Sequence, residues 1–292
     1  MKDQAEVLRR MAHRRPAAAT IQSQARVICV TSGKGGVGKT NISVNLALAL
    51  AQLGHKVALL DADLGMANID ILLGLTPKYT LTHVLRGEKL INEIMLEGPL
   101  GIRVLAGGNG VYDLANLSQR ELDLFSASLE LLDEQFDFIL VDTGAGIGRN
   151  VVSFALSVDE VLLVTTPETT AITDAYGMIK VIKQRRSDSS LKLVVNMAQA
   201  ENDGPSVWTK LNTVVGRFLK ADVEYGGGIP YDQHVSRSVN EQVPFLLAFP
   251  NCSASRGITS LAQSLAGSTI SKAAPNRGIR GFLSRVYELL QA

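Results

Sequence analysis

Residues 33–40 read Gly33-Lys34-Gly35-Gly36-Val37-Gly38-Lys39-Thr40, with the apolar run Val27-Ile28-Cys29-Val30 before them and a helix-period stretch from Asn41 after them. The spacing G-x-x-x-x-G-K-[ST] between a strand and a helix is that of a phosphate-binding loop. Its residue types follow from its chemistry. Glycines let successive backbone N–H groups curl around phosphate oxygens, and the helix start adds partial positive charge. Lys39 has the reach for β- and γ-phosphates, and the Thr40 hydroxyl suits Mg²⁺. Gly35, Gly36, Val37, Gly38, Lys39, Thr40 and Asn41 are therefore read as the phosphate cradle.

Working outward, apolar strand candidates fall at residues 27–31, 57–61, 102–106, 138–142, 161–165, 193–196 and 223–229, with helix-period segments such as 41–53, 118–132, 170–183 and 208–219 between most of them. Strands apolar nearly throughout, alternating with helices, imply an α/β fold: a doubly wound, mostly parallel sheet covered by helices on both faces. The simplest organisation is an N-terminal helix and linker over residues 1–25, one P-loop domain over 26–265, and a linker with a terminal amphipathic helix over 266–292.

Composition supports a sizeable core and removes several functions. Of 292 residues, 46% are hydrophobic and 20% charged, and the net charge of +1 provides no global basic field for holding DNA. The two cysteines, Cys29 and Cys252, have no paired spacing, so cluster, zinc and disulfide chemistry are poor readings. Cys29 lies in an apolar run and reads as a small buried hydrophobe. The four histidines are scattered without metal spacing. No run approaches about 18 apolar residues, and the polar, then Arg-rich, N-terminus does not read as a secretory signal, so a cytoplasmic location is expected.

Three further stretches carry a resemblance. Lys34 gives the loop a second lysine; Asp61-Ala62-Asp63-Leu64-Gly65 closes the second strand; Val141-Asp142-Thr143-Gly144-Ala145-Gly146 closes a later one. The chain resembles the deviant Walker A ATPases of the MinD/ParA group. The resemblance implies that ATP and Mg²⁺ are bound and that ATP closes a homodimer in which Lys34 reaches the phosphates held by the other copy. It further implies that Asp63 positions the attacking water, that Thr40, Asp142 and Asp61 lie on the Mg²⁺ side, and that Gly146 gives the second switch freedom to sense the γ-phosphate. Asn196 and the turn Gly228-Ile229-Pro230-Tyr231-Asp232 match the family's adenine positions, so Asn196, Pro230 and Asp232 are base-site candidates and ATP is favoured over GTP. Thr143 and Gly144 depart from the Pro that the family usually has nearby.

Both ends carry patterns of their own. Ile279, Phe282, Leu283, Val286, Tyr287 and Leu290 fall on one helical stripe, with Arg277, Arg280 and Arg285 beside it. That is the pattern of a helix lying in an anionic lipid interface, and equally of a helix docked on the protein's own core. Near the start, Asp3, Gln4, Ala5, Leu8 and Arg9 match D-Q-A-x-x-L-R. This looks like the N-terminal element of the flagellum-number regulators of the FlhG type, as do residues 151–154 and 172–176. The resemblance implies an FlhF-type signal-recognition GTPase as partner, contacts with flagellar switch (C-ring) components or a flagellar transcription activator, and reversible residence on the inner face of the cytoplasmic membrane. Two other readings stay open. One is a ParA-like DNA segregation ATPase using Lys180, Lys183, Arg185 and Arg186, although specific DNA binding is not expected. The other is a scaffold that binds nucleotide without hydrolysing it.

Overall fold

The structure is a computed structural model and describes residues 25–63, 68–108, 132–158, 160–186, 190–268 and 278–291. The N-terminal candidates Asp3, Gln4, Ala5, Leu8 and Arg9 and nearly all of the helical segment 118–132 lie outside the described residues.

Eight strands form one sheet: β1 (Arg26–Ser32), β2 (Val57–Ala62), β3 (Leu96–Glu97), β4 (Arg103–Ala106), β5 (Phe138–Ala145), β6 (Glu160–Thr165), β7 (Ser190–Ala198) and β8 (Glu224–Pro230). Their order is β3-β4-β2-β5-β1-β6-β7-β8, parallel throughout except where β3 pairs antiparallel with β4. All seven apolar runs became strands; the central ones are covered on both faces, every residue of β2 and of β6 being buried, whereas β8, at the sheet edge, is exposed or half-buried apart from Ile229. The eighth, β3, is two residues long and too short to carry a period.

The principal helices are α1 (Lys39–Gln52), α2 (Arg149–Ser157), α3 (Thr169–Arg185), α4 (Asp203–Leu219), α5 (Gln233–Asn240), α6 (Ser253–Gly267) and α7 (Gly278–Gln291). One apolar layer joins α1 and α6 to the sheet, and the other joins α2, α3, α4 and α7. α1 is buried on nearly all sides from Ile42 to Leu50 because α6 covers its outer surface. A helix apolar all round is what such a sandwich requires.

The terminal stripe is not free. Ile279, Phe282, Leu283, Val286 and Leu290 are buried and Tyr287 is half-buried. The Phe282 ring stacks on Phe154 of α2 with centroids 5.8 Å apart. The face read as lipid-directed is thus occupied by the protein's own apolar layer, because the period that suits a bilayer also suits a packed helix. Each large side chain so covered stabilises the docked state by roughly 2 kcal/mol.

At the end of the sheet where the strands begin, Glu160 is 1% exposed and lies between two cations. Arg26 donates to it through Nε at 2.9 Å, and Lys192 Nζ lies 2.8 Å from its other oxygen. Arg26 also donates to the carbonyl of Leu265 and to the Ser268 hydroxyl, joining the start of β1 to the end of α6.

Candidate nucleotide site

β1 lies between β5 and β6, where the chain direction of the winding reverses, so the loop after β1 opens at the switch point at which open α/β sheets bind ligands. Residues 33–38 connect β1 to α1, and Gly38 precedes the helix with φ +85°. A side chain at Gly38 would run into the Asn196 amide, and one at Gly33 would run into the Asp174 carbonyl of α3. Glycine is therefore set at these two positions by close approach as well as by phosphate binding.

The register of β1 against β5 brings Val30 opposite Asp142. Asp142 is 1% exposed; its Oδ1 accepts from Ser43 at 2.7 Å and lies 3.2 Å from Lys39 Nζ. Burial pushes the Asp142 carboxyl above its ordinary range, while Lys39, Ser43 and Thr40 pull it back. Its Oδ2 is buried with no hydrogen-bond partner. A carboxylate oxygen left unpaired in a buried site otherwise carries a desolvation penalty. With the Thr40 hydroxyl beside it, this open acceptor fits a hard divalent cation and its waters. Mg²⁺, the metal this fold implies, would be held here by Thr40 and Asp142, and bound there it would neutralise charge on the phosphates.

Asp61, placed with them on the metal side, also holds a loop. It pairs in register with Asp142, but its Oδ1 accepts from the Asp63 N–H at 3.1 Å and its Oδ2 from Asn68 and Ile69 N–H at 3.1 and 3.3 Å. The carboxylate thus caps the short helix Ile69–Leu73 and holds the loop that follows β2. It serves here as the anchor of that loop. Asp63 lies against the second switch: a first side-chain carbon on Gly144 would sit 3.4 Å from its Oδ1.

Burial, then the neighbouring Asp142, raises Asp61 from 3.8 to about 6. A raised carboxyl contributes stability that is fully present below its unfolded value and is lost as pH climbs through the folded value. Metal-free protein should therefore lose on the order of 3 kcal/mol between about pH 4 and pH 7 from this group. Asp61→Asn should flatten that slope in urea titrations run in chelator, and an unchanged slope would remove Asp61 as its source.

Lys34 Nζ lies 2.9 Å from Glu168 Oε2 and 2.8 Å from Thr170 Oγ1, at the start of α3, and its side chain is 37% exposed. The second lysine thus rests at the rim of its own site. Its resting partners come 134 and 136 residues later in the chain, out of reach of local reading.

A cleft beside the phosphate loop is lined by Gly38, Asn41, Asn196, Pro230, Tyr231 and Asp232, with Ile42, Val235 and Phe245 adding apolar walls. The three base-site candidates therefore come together. Asn196 donates to the Val37 carbonyl at 2.8 Å and so braces the loop as well. Asp232 lines the cleft, but its carboxylate is engaged elsewhere: it accepts from His234 N–H, capping α5, and from Ser253 N–H and hydroxyl at the start of α6. Burial opposes its charge, yet the bonds from Ser253 and His234 outweigh burial and hold it well below the usual carboxylate range. Sequence reading missed Ser43, although its position four residues after Lys39 sets both on one helix face. It also missed the apolar walls, which carry no motif.

A P-loop with two lysines, a buried metal-side aspartate and an adjoining base cleft at the switch point define a nucleotide-hydrolysing switch of the deviant Walker A class. The family profile described as "AAA domain" matches residues 25–195. The chain is 44% identical over 238 residues to the antiactivator FleN of Pseudomonas aeruginosa, covering 82% of this chain and 85% of that protein. It is 35% identical over 269 residues to the flagellum site-determining protein YlxH of Helicobacter pylori, covering 91% and 90% respectively. Among solved structures, the septum site-determining protein MinD of Pyrococcus horikoshii, complexed with Mg-ADP, superposes with a TM-score of 0.66 at 28% identity over 84% of this chain and 100% of that one. The chain belongs to the MinD/ParA family of ATPases.

Proposed function

We propose that this ATPase regulates flagellar number or placement as a nucleotide-timed switch. ATP closes two copies face to face, each lending Lys34 to the phosphates of the other, and Asp63 orients the water that ends the state. The closed dimer carries two α7 helices, and two linked helices hold an anionic surface more tightly than one by on the order of 10²-fold. ATP thus sets residence on the inner face of the cytoplasmic membrane, and after hydrolysis the monomer returns to the cytoplasm with α7 docked. The N-terminal element, Asp3 to Arg9, engages an FlhF-type GTPase, and the dimer surface meets flagellar switch components or a flagellar transcription activator.

The observation that carries this reading is Lys34 resting on Glu168 and Thr170 at the rim of the site. An exposed ion pair of this kind is worth about 0–1 kcal/mol, so the lysine is available to a partner's phosphates at little cost. The names of the flagellar relatives FleN and YlxH support the cellular role. The DNA segregation reading is weaker, because Arg186 of its basic group donates to the Leu156 and Val158 carbonyls at the end of α2.

Co-sedimentation of the full chain with phosphatidylglycerol vesicles tests the reading. The protein should pellet with Mg²⁺ and a non-cleavable ATP analogue and stay in the supernatant with ADP. Equal partition in both nucleotides would overturn the coupling of ATP to the membrane.

A further inference from the structure

α2 begins at Arg149, three residues after Gly146 of the second switch, and α7 packs along it. Arg149 meets the last turn of α7, while Phe154 and Ser157, further along α2, meet Phe282 and Arg285 nearer its start. At each end an arginine of one helix satisfies the final carbonyls of the other. Arg149 Nη2 donates to the Leu290 carbonyl at 2.7 Å, and Arg285 Nε donates to the Ser157 carbonyl at 2.6 Å. The last carbonyls of a helix have no partner inside it, so such side chains act as caps, favoured further by the helix dipole.

The two caps are alike in chemistry and different in what they are attached to. Arg285 is planted on α7 and grips the far end of α2. Arg149 is planted where the second switch becomes helix, and that loop is tied to the end of β1, directly before the phosphate loop, through the Gly146 N–H, which donates to the Ser32 carbonyl at 2.8 Å. The loop also flanks Asp63 through Gly144.

We infer that Arg149 is the positioning residue that couples the second switch to α7: its bond to the Leu290 carbonyl holds the tail only while the loop at 142–148 keeps this arrangement. Refolding of the loop around a γ-phosphate moves the first turn of α2, withdraws the cap and frees α7 from its last turn inward. Arg285 holds the same helix without sensing nucleotide. The inference rests on the proposed ATP switch and adds the contact through which the site reaches the tail.

Hydrogen exchange of residues 278–291 in the full chain, with ADP and with a non-cleavable ATP analogue, tests it against both arginines. In the parent, the tail should exchange faster with the analogue. Arg149→Gln should exchange about five-fold faster than the parent in ADP, the loss expected for one capping bond, and should gain little more with the analogue. Arg285→Gln should loosen the tail by a similar factor in ADP and still respond to the analogue as the parent does. Nucleotide affinity, measured with a fluorescent ADP, should be unchanged in both variants. If Arg149→Gln keeps the parent's full response to the analogue, the coupling role is overturned while the ATP switch stands. If the parent's own tail exchanges alike in both nucleotides, the coupling and the membrane reading fall together.

Discussion

Lys34→Ala is expected to bind ATP as a monomer and to lose ATP hydrolysis by on the order of 10³-fold, the scale on which a cation supplied in trans acts in phosphoryl transfer. The Lys34 side chain points to the rim, onto Glu168 and Thr170, and takes no part in the buried group of Lys39, Ser43 and Asp142 that would hold the bound phosphates and metal. Affinity for a fluorescent ADP should therefore remain near that of the parent. Light scattering on a sizing column should show the parent as a dimer with Mg²⁺ and a non-cleavable triphosphate, and the variant as a monomer under the same conditions. Lys39→Ala should differ by losing nucleotide binding itself, since Lys39 is 7% exposed and lies at the heart of the cradle. A Lys34→Ala protein that still dimerised and hydrolysed ATP at the parent rate would remove the trans-acting lysine and leave the loop as an ordinary one.

The second large effect is on stability. Glu160→Gln should cost about 3–5 kcal/mol in urea unfolding, because it removes the buried carboxylate that Arg26 and Lys192 share, their side chains being only 12% and 14% exposed, and leaves Lys192 with the exposed Glu224 at 3.4 Å. Converting the shared partner to a neutral amide leaves two largely desolvated cations facing each other. Arg26→Ala should be destabilising as well and should also release the end of α6, since the same guanidinium bonds the Leu265 carbonyl and Ser268. A loss below about 1 kcal/mol for Glu160→Gln would mean that water reaches the cluster and screens it.

The fold was readable wherever burial forces a composition. Strands covered on both faces must be apolar nearly throughout, and apolar runs marked seven of the eight strands, the half-exposed edge strand β8 among them; the loop at 33–40 could be read because phosphate chemistry restricts both residue types and spacing. The limits are physical too. The α7 stripe reads the same whether its neighbour is lipid or Phe154, because a helical period records that a face is apolar and not what covers it. Asp61 and Asp142 both end apolar runs and look alike in sequence. Three backbone N–H groups at residues 63, 68 and 69 turn one into a loop anchor, and the unpaired Oδ2 leaves the other open to a cation. The contacts between Lys34 and Glu168, and between Asn196 and Val37, join positions more than 130 residues apart, so no local pattern announces them.

That α7 lies within the apolar layer beside Phe154 has a consequence for handling the protein. Drawing the helix out bares two greasy surfaces at once, its own stripe and the trough it leaves, and in lipid-free buffer neither has anything to cover it. The triphosphate-loaded form should consequently be the sticky one, clouding at concentrations where the diphosphate form stays clear, and detergent or vesicles should restore clarity.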